Sequence, residues 1–274
     1  MTLRTFSALG AAFFLALAIA PAQDKKLACD DRSDGASRQN RVCEMRESTM
    51  VVNGKLNVDA APNGGIRIAG WDKNEILVRA KVEAWGDSGA ESSDRLREVR
   101  VVTSGDSVKA EGPKSMGLWG GGGNQKWSVS YEVFVPKKID LKLGTVNGGI
   151  NVADVRGNMN FQTVNGGVTL ARTAGRVKGE TVNGGVNVDL AGTTWEGEGL
   201  ELETVNGGVT VTVPAAYSAN FHAGTVNGGL NTDFEDATIQ GKSGPKKLDL
   251  KLGSGGPTVK LETVNGGVRI RRKA

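Results

Sequence analysis

The chain has 274 residues, a formal net charge of +4 and 38% hydrophobic residues, which is enough for one globular domain with a buried core. Aromatic residues make up only 5% of the chain, so Val, Leu and Ile must build that core, as in thin stacked sheets rather than a broad enzyme core. A single histidine leaves little material for a Ser-His-Asp triad or a metal-histidine cluster.

Residues 1–22 predict a secretory signal peptide. Arg4 supplies the positive start, Ala8 to Ala20 forms the apolar stretch, and Ala20-Pro21-Ala22 is a small-residue cleavage site. That stretch is short for a bilayer, and no second one follows it. We therefore expect an exported protein of the periplasm or cell surface without an integral membrane span.

Residues 23–47 form a polar N-terminal segment that contains Cys29 and Cys43, the two cysteines of the chain. Export places both thiols in an oxidising compartment, so we expect a Cys29–Cys43 disulfide. No cofactor or metal ligation is predicted for them, because the residues between them supply no histidine and no Cys-x-x-Cys pair.

Residues 48–274 predict one β-repeat domain, since strand-like alternation begins at Thr49. Asn63-Gly64-Gly65 is a degenerate early copy of a later motif, and Ile76 to Ala84 alternates as a half-buried strand. Ser88 to Arg97 lacks β-branched residues and predicts a short helix capped by Asp87 or Ser88.

A glycine-rich loop is expected at residues 116–123, with Trp119 inside it and Trp127 at the start of the next strand. Four consecutive glycines can cradle a phosphate, but no Lys-Ser or Lys-Thr follows them and no helix pattern begins there. We therefore do not predict a nucleotide site.

The pentapeptide Thr-Val-Asn-Gly-Gly dominates the second half of the chain. It starts at Thr145, Thr163, Thr181, Thr204, Thr225 and Thr263, with intervals of 18, 18, 23, 21 and 38 residues. An alternating run follows each copy, as in Ile150-Asn151-Val152. With one parity through the unit, Val146, Ile150 and Val152 would face the interior while Thr145 and Asn147 face outward.

Units of about 20 residues cannot bury an apolar face alone and must stack on copies of themselves. We therefore predict an all-β fold, a single-stranded parallel β-helix (β-solenoid) with Asn-Gly-Gly turns, in which Asn and Gly tolerate positive φ. Stacked asparagines would lie about 4.8 Å apart and form a hydrogen-bonded ladder. The alternative is an antiparallel repeat sheet, because Asn-Gly is also a strong hairpin signal.

A second internal repeat relates Pro136–Gly144 to Pro245–Gly253, and the two segments differ only at Ile139, which is replaced by Leu248. The 38-residue interval therefore predicts two coils. The basic C-terminal end is expected to protect an edge strand from edge-to-edge association. It is not expected to bind nucleic acid, since a single basic end does not form a basic groove.

The chain resembles the bacterial "putative adhesin" family of exported β-strand-repeat proteins of unknown function. The resemblance covers about residues 49–272 and rests on Ser130 to Pro136 leading into Leu141-Lys142-Leu143, on the Asn-Gly turns, and on Gly253 to Pro257. It implies a β-repeat fold without recognised catalytic residues. This chain departs from many members by having Asn-Gly-Gly where they carry Gly-Asp or Gly-Ser.

Candidate chemical groups are sparse. His222 is interpreted as a strand residue, and Asp189 and Asp233 only partly match a calcium-binding nonapeptide, so no metal is predicted. Glu201 and Glu203 share a strand face and are the carboxylates that a β-helix polysaccharide lyase or glycoside hydrolase would need. Solvation of an outer face is the favoured role for them.

We therefore expect a non-catalytic envelope or cell-surface protein, adhesin-like in binding or a structural scaffold, with a polysaccharide-processing enzyme as the alternative. An envelope glycan or another surface protein is the expected partner, and nucleic acid is not. The candidate binding residues are the tryptophans beside the glycine loop and the Thr and Asn of the first three clean repeats: Trp119, Trp127, Thr145, Asn147, Thr163, Asn165, Thr181 and Asn183.

Overall fold

The computed structural model describes residues 27–29, 40–113, 126–242 and 244–273. The predicted signal peptide and Trp119 lie outside these ranges. The division into a segment 23–47 and a domain 48–274 stays a prediction.

The described residues form twenty-one strands and one helix. Before the clean repeats lie β1 (Arg41–Met50), β2 (Lys55–Asp59), β3 (Ile66–Trp71), β4 (Ile76–Trp85), α1 (Gly89–Glu98), β5 (Arg100–Ser104), β6 (Ser107–Glu111) and β7 (Trp127–Pro136). The repeats contribute β8 (Asp140–Asn147), β9 (Ile150–Ala153), β10 (Arg156–Asn165), β11 (Val168–Ala171), β12 (Ala174–Asn183), β13 (Val186–Asp189), β14 (Gly199–Asn206) and β15 (Val209–Val213). The last part comprises β16 (Ala219–Asn227), β17 (Leu230–Thr232), β18 (Thr238–Gln240), β19 (Lys246–Leu252), β20 (Thr258–Asn265) and β21 (Val268–Arg272).

The strands form two large mixed sheets. The order of the first is β1-β4-β7-β3-β9-β11-β13-β15-β21-β17, and that of the second is β18-β19-β16-β20-β14-β12-β10-β8-β2-β6-β5. Each clean repeat sends the strand before its turn into the second sheet and the strand after its turn into the first. The all-β prediction is confirmed.

Neighbouring clean repeats pair in parallel and in register, so Thr163 lies beside Thr145 and Thr181, and Asn165 beside Asn147 and Asn183. The antiparallel alternative is therefore wrong for the repeats. Antiparallel pairing occurs instead at β1-β4-β7, at β5-β6 and at β16-β19-β18. The sheets are mixed, so a pure parallel β-helix does not describe the whole fold.

The order of the last coils also departs from a sequential solenoid. The sixth repeat, carried by β20 and β21, inserts between the fourth repeat (β14, β15) and the fifth (β16, β17). The prediction of two coils in the 38-residue interval is wrong, because β19 runs antiparallel to β16 and β18 antiparallel to β19. The repeated segments that begin at Pro136 and Pro245 therefore do not occupy equivalent positions in the fold.

The core lies between the two sheets and is largely aliphatic, as predicted, with Phe161, Phe221 and Tyr131 as its largest fully buried rings. The predicted orientation of the pentapeptide is wrong. Thr163 is 3% exposed, whereas Val164 is 38% exposed. Inward positions in β10 are Met159, Phe161 and Thr163, and the inward series resumes at Val168 in β11. Thr163 and Val168 both face the interior although their residue numbers differ by five, an odd number. The turn therefore changes which of the odd and even positions face inward.

The first glycine of each turn is required for close packing. A Cβ on Gly166 would lie 1.9 Å from the carbonyl oxygen of Gly148 in the neighbouring coil, and one on Gly184 would lie 2.0 Å from that of Gly166. These turn glycines do not have the positive φ that the sequence analysis assumed. Gly is needed because adjacent backbones approach where a side chain would stand.

Two local predictions are confirmed. Cys29 and Cys43 form a disulfide, which ties the described N-terminal residues to β1. The predicted helix is α1, whose N-cap Ser88 accepts a hydrogen bond from the Glu91 amide. Within the described ranges no helix is long and apolar enough to cross a membrane.

Candidate functional site

An open groove of about 920 Å³ runs across the outer face of the second sheet, perpendicular to its strands. Its floor is a line of valines, one from each clean repeat, which we call the valine column. In spatial order the valine column comprises Val146, Val164, Val182, Val205, Val264 and Val226, and Ala61 of the turn that follows β2 continues it at one end.

The valine column is exposed although it belongs to the most regular part of the fold. Val164, Val182, Val205, Val264 and Val226 are 38 to 42% exposed, and Val146 is half-buried. At a strand spacing of about 4.8 Å, six valines extend for about 24 Å. Continuous apolar patches of this kind commonly mark an interaction site.

Beneath the groove, the threonine hydroxyls bind the backbone. Thr163 Oγ1 donates to Gly148 O at 2.9 Å, and every clean repeat repeats this bond to its neighbour in the stack. The hydroxyls of Thr145, Thr163 and Thr181 therefore do not face solvent as predicted. A role of these three threonines in binding stays a prediction.

On one side of the valine column, the asparagines form the predicted ladder. Asn165 Nδ2 donates to Asn147 Oδ1 at 2.8 Å, and Asn183 Nδ2 donates to Asn165 Oδ1 at the same distance. The ladder runs through Asn63, Asn147, Asn165, Asn183, Asn206, Asn265 and Asn227, in spatial order. Interior amides thus already donate to one neighbour and accept from the other.

On the other side of the valine column, the central wall is acidic. Glu180, Glu203 and Glu262 occupy matched positions on adjacent strands and line the groove. Lys260 lies two residues before Glu262 on β20, and its Nζ is 3.2 Å from Glu262 and 3.7 Å from Glu203. The adjacent carboxylates repel one another, and Lys260 offsets part of that repulsion.

Lys260 also contacts Glu201 at 2.9 Å, and this hydrogen bond holds the pKa of Glu201 below its usual value. The same contact raises the pKa of Lys260. Glu201 is therefore ionised and engaged, whereas a general acid in glycoside hydrolysis needs a raised pKa.

One end of the groove is basic. Pro245, Lys246 and Lys247 close this end of the groove, where β19 pairs with β16 in the sheet. Lys246 Nζ donates to Gly228 O at 2.7 Å, while the exposed Lys247 stands beside Gly224 on the groove face. The groove is thus acidic in the middle and basic at this end.

The tryptophan platform is not formed by Trp127. Its ring is 5% exposed, and its Nε1 donates to Pro113 O at 3.0 Å. Trp127 therefore packs in the core, and its predicted place on a stacking surface is wrong. The valine column was not predicted, because a single parity through each repeat would place those side chains in the interior.

A second cavity, of about 320 Å³, contains several cations that already have partners. Arg172 makes two 2.7 Å hydrogen bonds to Asp154, which keep the pKa of Asp154 low, and Arg156 pairs with Glu196. The Trp195 indole donates to Gly175 O. These groups stabilise the turns between coils and offer little to a ligand.

The remaining candidate groups have local partners. His222 Nδ1 lies 2.6 Å from Asp249 Oδ1 on the exposed face of β16 and β19. Asp189 binds Lys273, and Asp233 accepts from the Arg272 amide. In the described part of the chain, no group of three or more His, Cys, Asp or Glu side chains could hold a metal ion.

The chain is similar to solved structures described as adhesins. A "putative cell adhesion protein" from Clostridium sporogenes is 16% identical, with a TM-score of 0.45, over 84% of this chain and 100% of that one. A "putative adhesin" from Bacteroides fragilis is 12% identical, with a TM-score of 0.42, over 84% of this chain and 97% of that one. These descriptions agree with the resemblance that the motifs predict.

Neither the protein-family models nor the curated proteins give a match to this chain.

Proposed function

We propose that the protein is a non-catalytic binding protein of the periplasm or cell surface, and that the groove over the valine column is its binding site. The observation that carries the proposal is the continuous line of half-exposed valines along a concave groove. Solvent exposure of these side chains is unfavourable, and a ligand that covers them recovers that free energy.

Export, the signal peptide and the solenoid scaffold belong to the same proposal. The Cys29–Cys43 disulfide supports an oxidising compartment. Parallel, in-register pairing of successive repeats supports a solenoid-like scaffold that carries the groove. A stack of this kind positions identical side chains at a constant spacing.

The ligand that best fits the groove is elongated and has an apolar side. An envelope glycan has less support, because the interior asparagine amides are hydrogen-bonded to each other and the threonine hydroxyls are buried. A polysaccharide-processing enzyme also has less support, because Lys260 engages Glu201 and Glu203.

A neutral apolar fluorophore, N-phenyl-1-naphthylamine, tests the binding site directly. We expect saturable fluorescence enhancement with the mature protein. The double variant Val182→Ser/Val205→Ser should bind the probe about tenfold more weakly, because the loss of two apolar contacts amounts to roughly 1.4 kcal/mol. The matched control is Val51→Ser, since Val51 is 79% exposed and outside the groove.

Urea unfolding of each variant verifies that the fold is retained. Lack of enhancement with wild-type protein, or equal binding by the double variant and the control, would refute the groove as the binding site. Release of oligosaccharide from envelope glycans by the wild type would instead establish the enzyme alternative.

A further inference from the structure

The chemistry of the groove restricts the ligand further than its apolar floor alone. Its floor is one valine wide, and its length is that of six neighbouring strands. A second copy of this chain would oppose one concave groove to another and leave the valines of both uncovered at the centre. A narrow rod fills such a groove, and an extended hydrocarbon chain has that shape.

The walls favour a ligand that needs few directional hydrogen bonds along its length. The asparagine ladder is internally bonded through Asn147, Asn165 and Asn183. On the opposite wall, the glutamates form ion pairs with Lys178 and Lys260. Methylene groups packed over valine require no polar partner from either wall.

The charge distribution orients such a ligand. An anionic head group in the middle of the groove would meet Glu180, Glu203 and Glu262. At the β19 end, Lys247 is exposed on the groove face and Lys246 stands next to it. At the opposite end, Asp59 lines the groove and accepts a hydrogen bond from the Ala61 amide. The exposed Lys142 also lines the groove toward that end, but Asp59 lies diagonally next to it on the adjoining strand, so a carboxylate is favoured at the Lys247 end.

Building on the proposed function, we propose that the groove binds a single-chain fatty acid, with its hydrocarbon chain on the valine column and its carboxylate at Lys247. The lengths agree. Fifteen C–C bonds of about 1.5 Å in a zigzag extend for about 19 Å. The valine column extends for about 24 Å.

Displacement of N-phenyl-1-naphthylamine by three amphiphiles of equal chain length tests the head group. Palmitate is anionic, hexadecanol is neutral and hexadecyltrimethylammonium is cationic. We expect palmitate to displace the probe at the lowest concentration. Lys247→Glu should weaken palmitate about tenfold and leave the affinity for the neutral probe unchanged.

Two variants serve as controls. Lys251→Glu makes the same charge change on β19 at an exposed position outside the groove, and it should leave palmitate binding unchanged. Lys247→Arg keeps the positive charge and should retain palmitate binding.

The outcomes separate this inference from the proposed function. Probe binding without displacement by palmitate, or stronger displacement by the cationic amphiphile, would overturn the fatty acid and leave the apolar site standing. Failure of the probe to bind would overturn both. Sedimentation with phosphatidylglycerol vesicles that palmitate does not compete with would assign the surface to a two-chain membrane lipid and overturn the single-chain ligand.

Discussion

At the scale of single residues, each clean pentapeptide buries its threonine side chain and leaves its valine side chain at least partly exposed. The threonine is buried because its hydroxyl has a fixed acceptor, the carbonyl of a neighbouring turn glycine. Alternation within each strand was predictable from the sequence. The orientation across the turn was not, because it depends on the number of residues that the turn consumes between Thr163 and Val168.

Adjacent substitutions test this orientation with nearly equal change in volume. Thr163→Val removes the side-chain donor to Gly148 O, a partly buried carbonyl, so we expect a loss of about 1–2 kcal/mol in unfolding free energy. Val164→Thr adds a hydroxyl at an exposed site and should change that free energy by less than about 0.5 kcal/mol. Urea titration of both variants measures the difference. Equal losses would contradict the observed orientation.

Alanine substitutions at two glycines test the close approach of the turns. Gly166→Ala places a Cβ 1.9 Å from the Gly148 carbonyl oxygen, and we expect destabilisation of at least about 3 kcal/mol or failure to fold. Gly144→Ala is the control, because a Cβ there meets nothing within 4 Å. Thermal and urea unfolding compare the two. A mild effect of Gly166→Ala would mean that the coils can separate without cost.

Two buried tyrosines predict a loss of stability at alkaline pH. Burial raises the pKa of Tyr131 and raises that of Tyr217 to about 12. An unfolded tyrosine ionises near pH 10, so the unfolded state releases protons first and the unfolding free energy falls as pH rises through this range. Urea unfolding between about pH 9 and 12 should show a weaker fall in the Tyr131→Phe/Tyr217→Phe variant. An identical slope would contradict the prediction.

Near neutral pH, Tyr131→Phe should be neutral or stabilising by up to about 1 kcal/mol, because Tyr131 Oη is buried without a hydrogen-bond partner among the described residues. The same urea titrations, performed near pH 7, measure this effect. A clear loss of stability would imply that the hydroxyl has a bound partner such as water.

At the scale of elements, the asparagine ladder was predictable because it follows directly from equal spacing and parallel register. Other contacts were not. Gly179 stands in register with Phe161, and a Cβ on it would lie 1.7 Å from the Phe161 ring. The sequence shows an apolar position filled by glycine, but only the stack shows that the neighbouring ring occupies that space.

Aspartate substitutions test the direction of the ladder. Asn183→Asp replaces the Nδ2 donor with an oxygen that faces Asn165 Oδ1, so we expect a loss of about 1–3 kcal/mol in unfolding free energy at neutral pH. Asn63 is the terminal acceptor for Asn147, so Asn63→Asp keeps its hydrogen bond and should have little effect. Urea titration measures both. Protonation of the introduced carboxyl at low pH should recover part of the loss, and equal effects at both positions would refute the ladder as a stabilising element.

At the scale of the whole molecule, repetition predicted stacking but not the order of stacking. Near-identical turns can pair with any other copy, so the sequence does not distinguish the fourth repeat's neighbour. The structure places the sixth repeat there and the fifth at the end of the stack. Antiparallel strands then cover the outer side of the fifth repeat. The same order brings Lys247 to the end of the groove.

Truncation after residue 257 tests this order. It removes β20 and β21, which lie between the fourth and fifth repeats, so β16 and β17 lose their only parallel neighbours in the described fold. We expect the amides of β17, which among the described strands pairs only with β21, to exchange hydrogen as rapidly as an unfolded chain, while those of β10 and β12 stay protected. Hydrogen exchange followed by mass spectrometry measures both regions in the same sample. A sequential solenoid would keep β17 on β15 after the same truncation, so retained protection of β17 would refute the inserted arrangement.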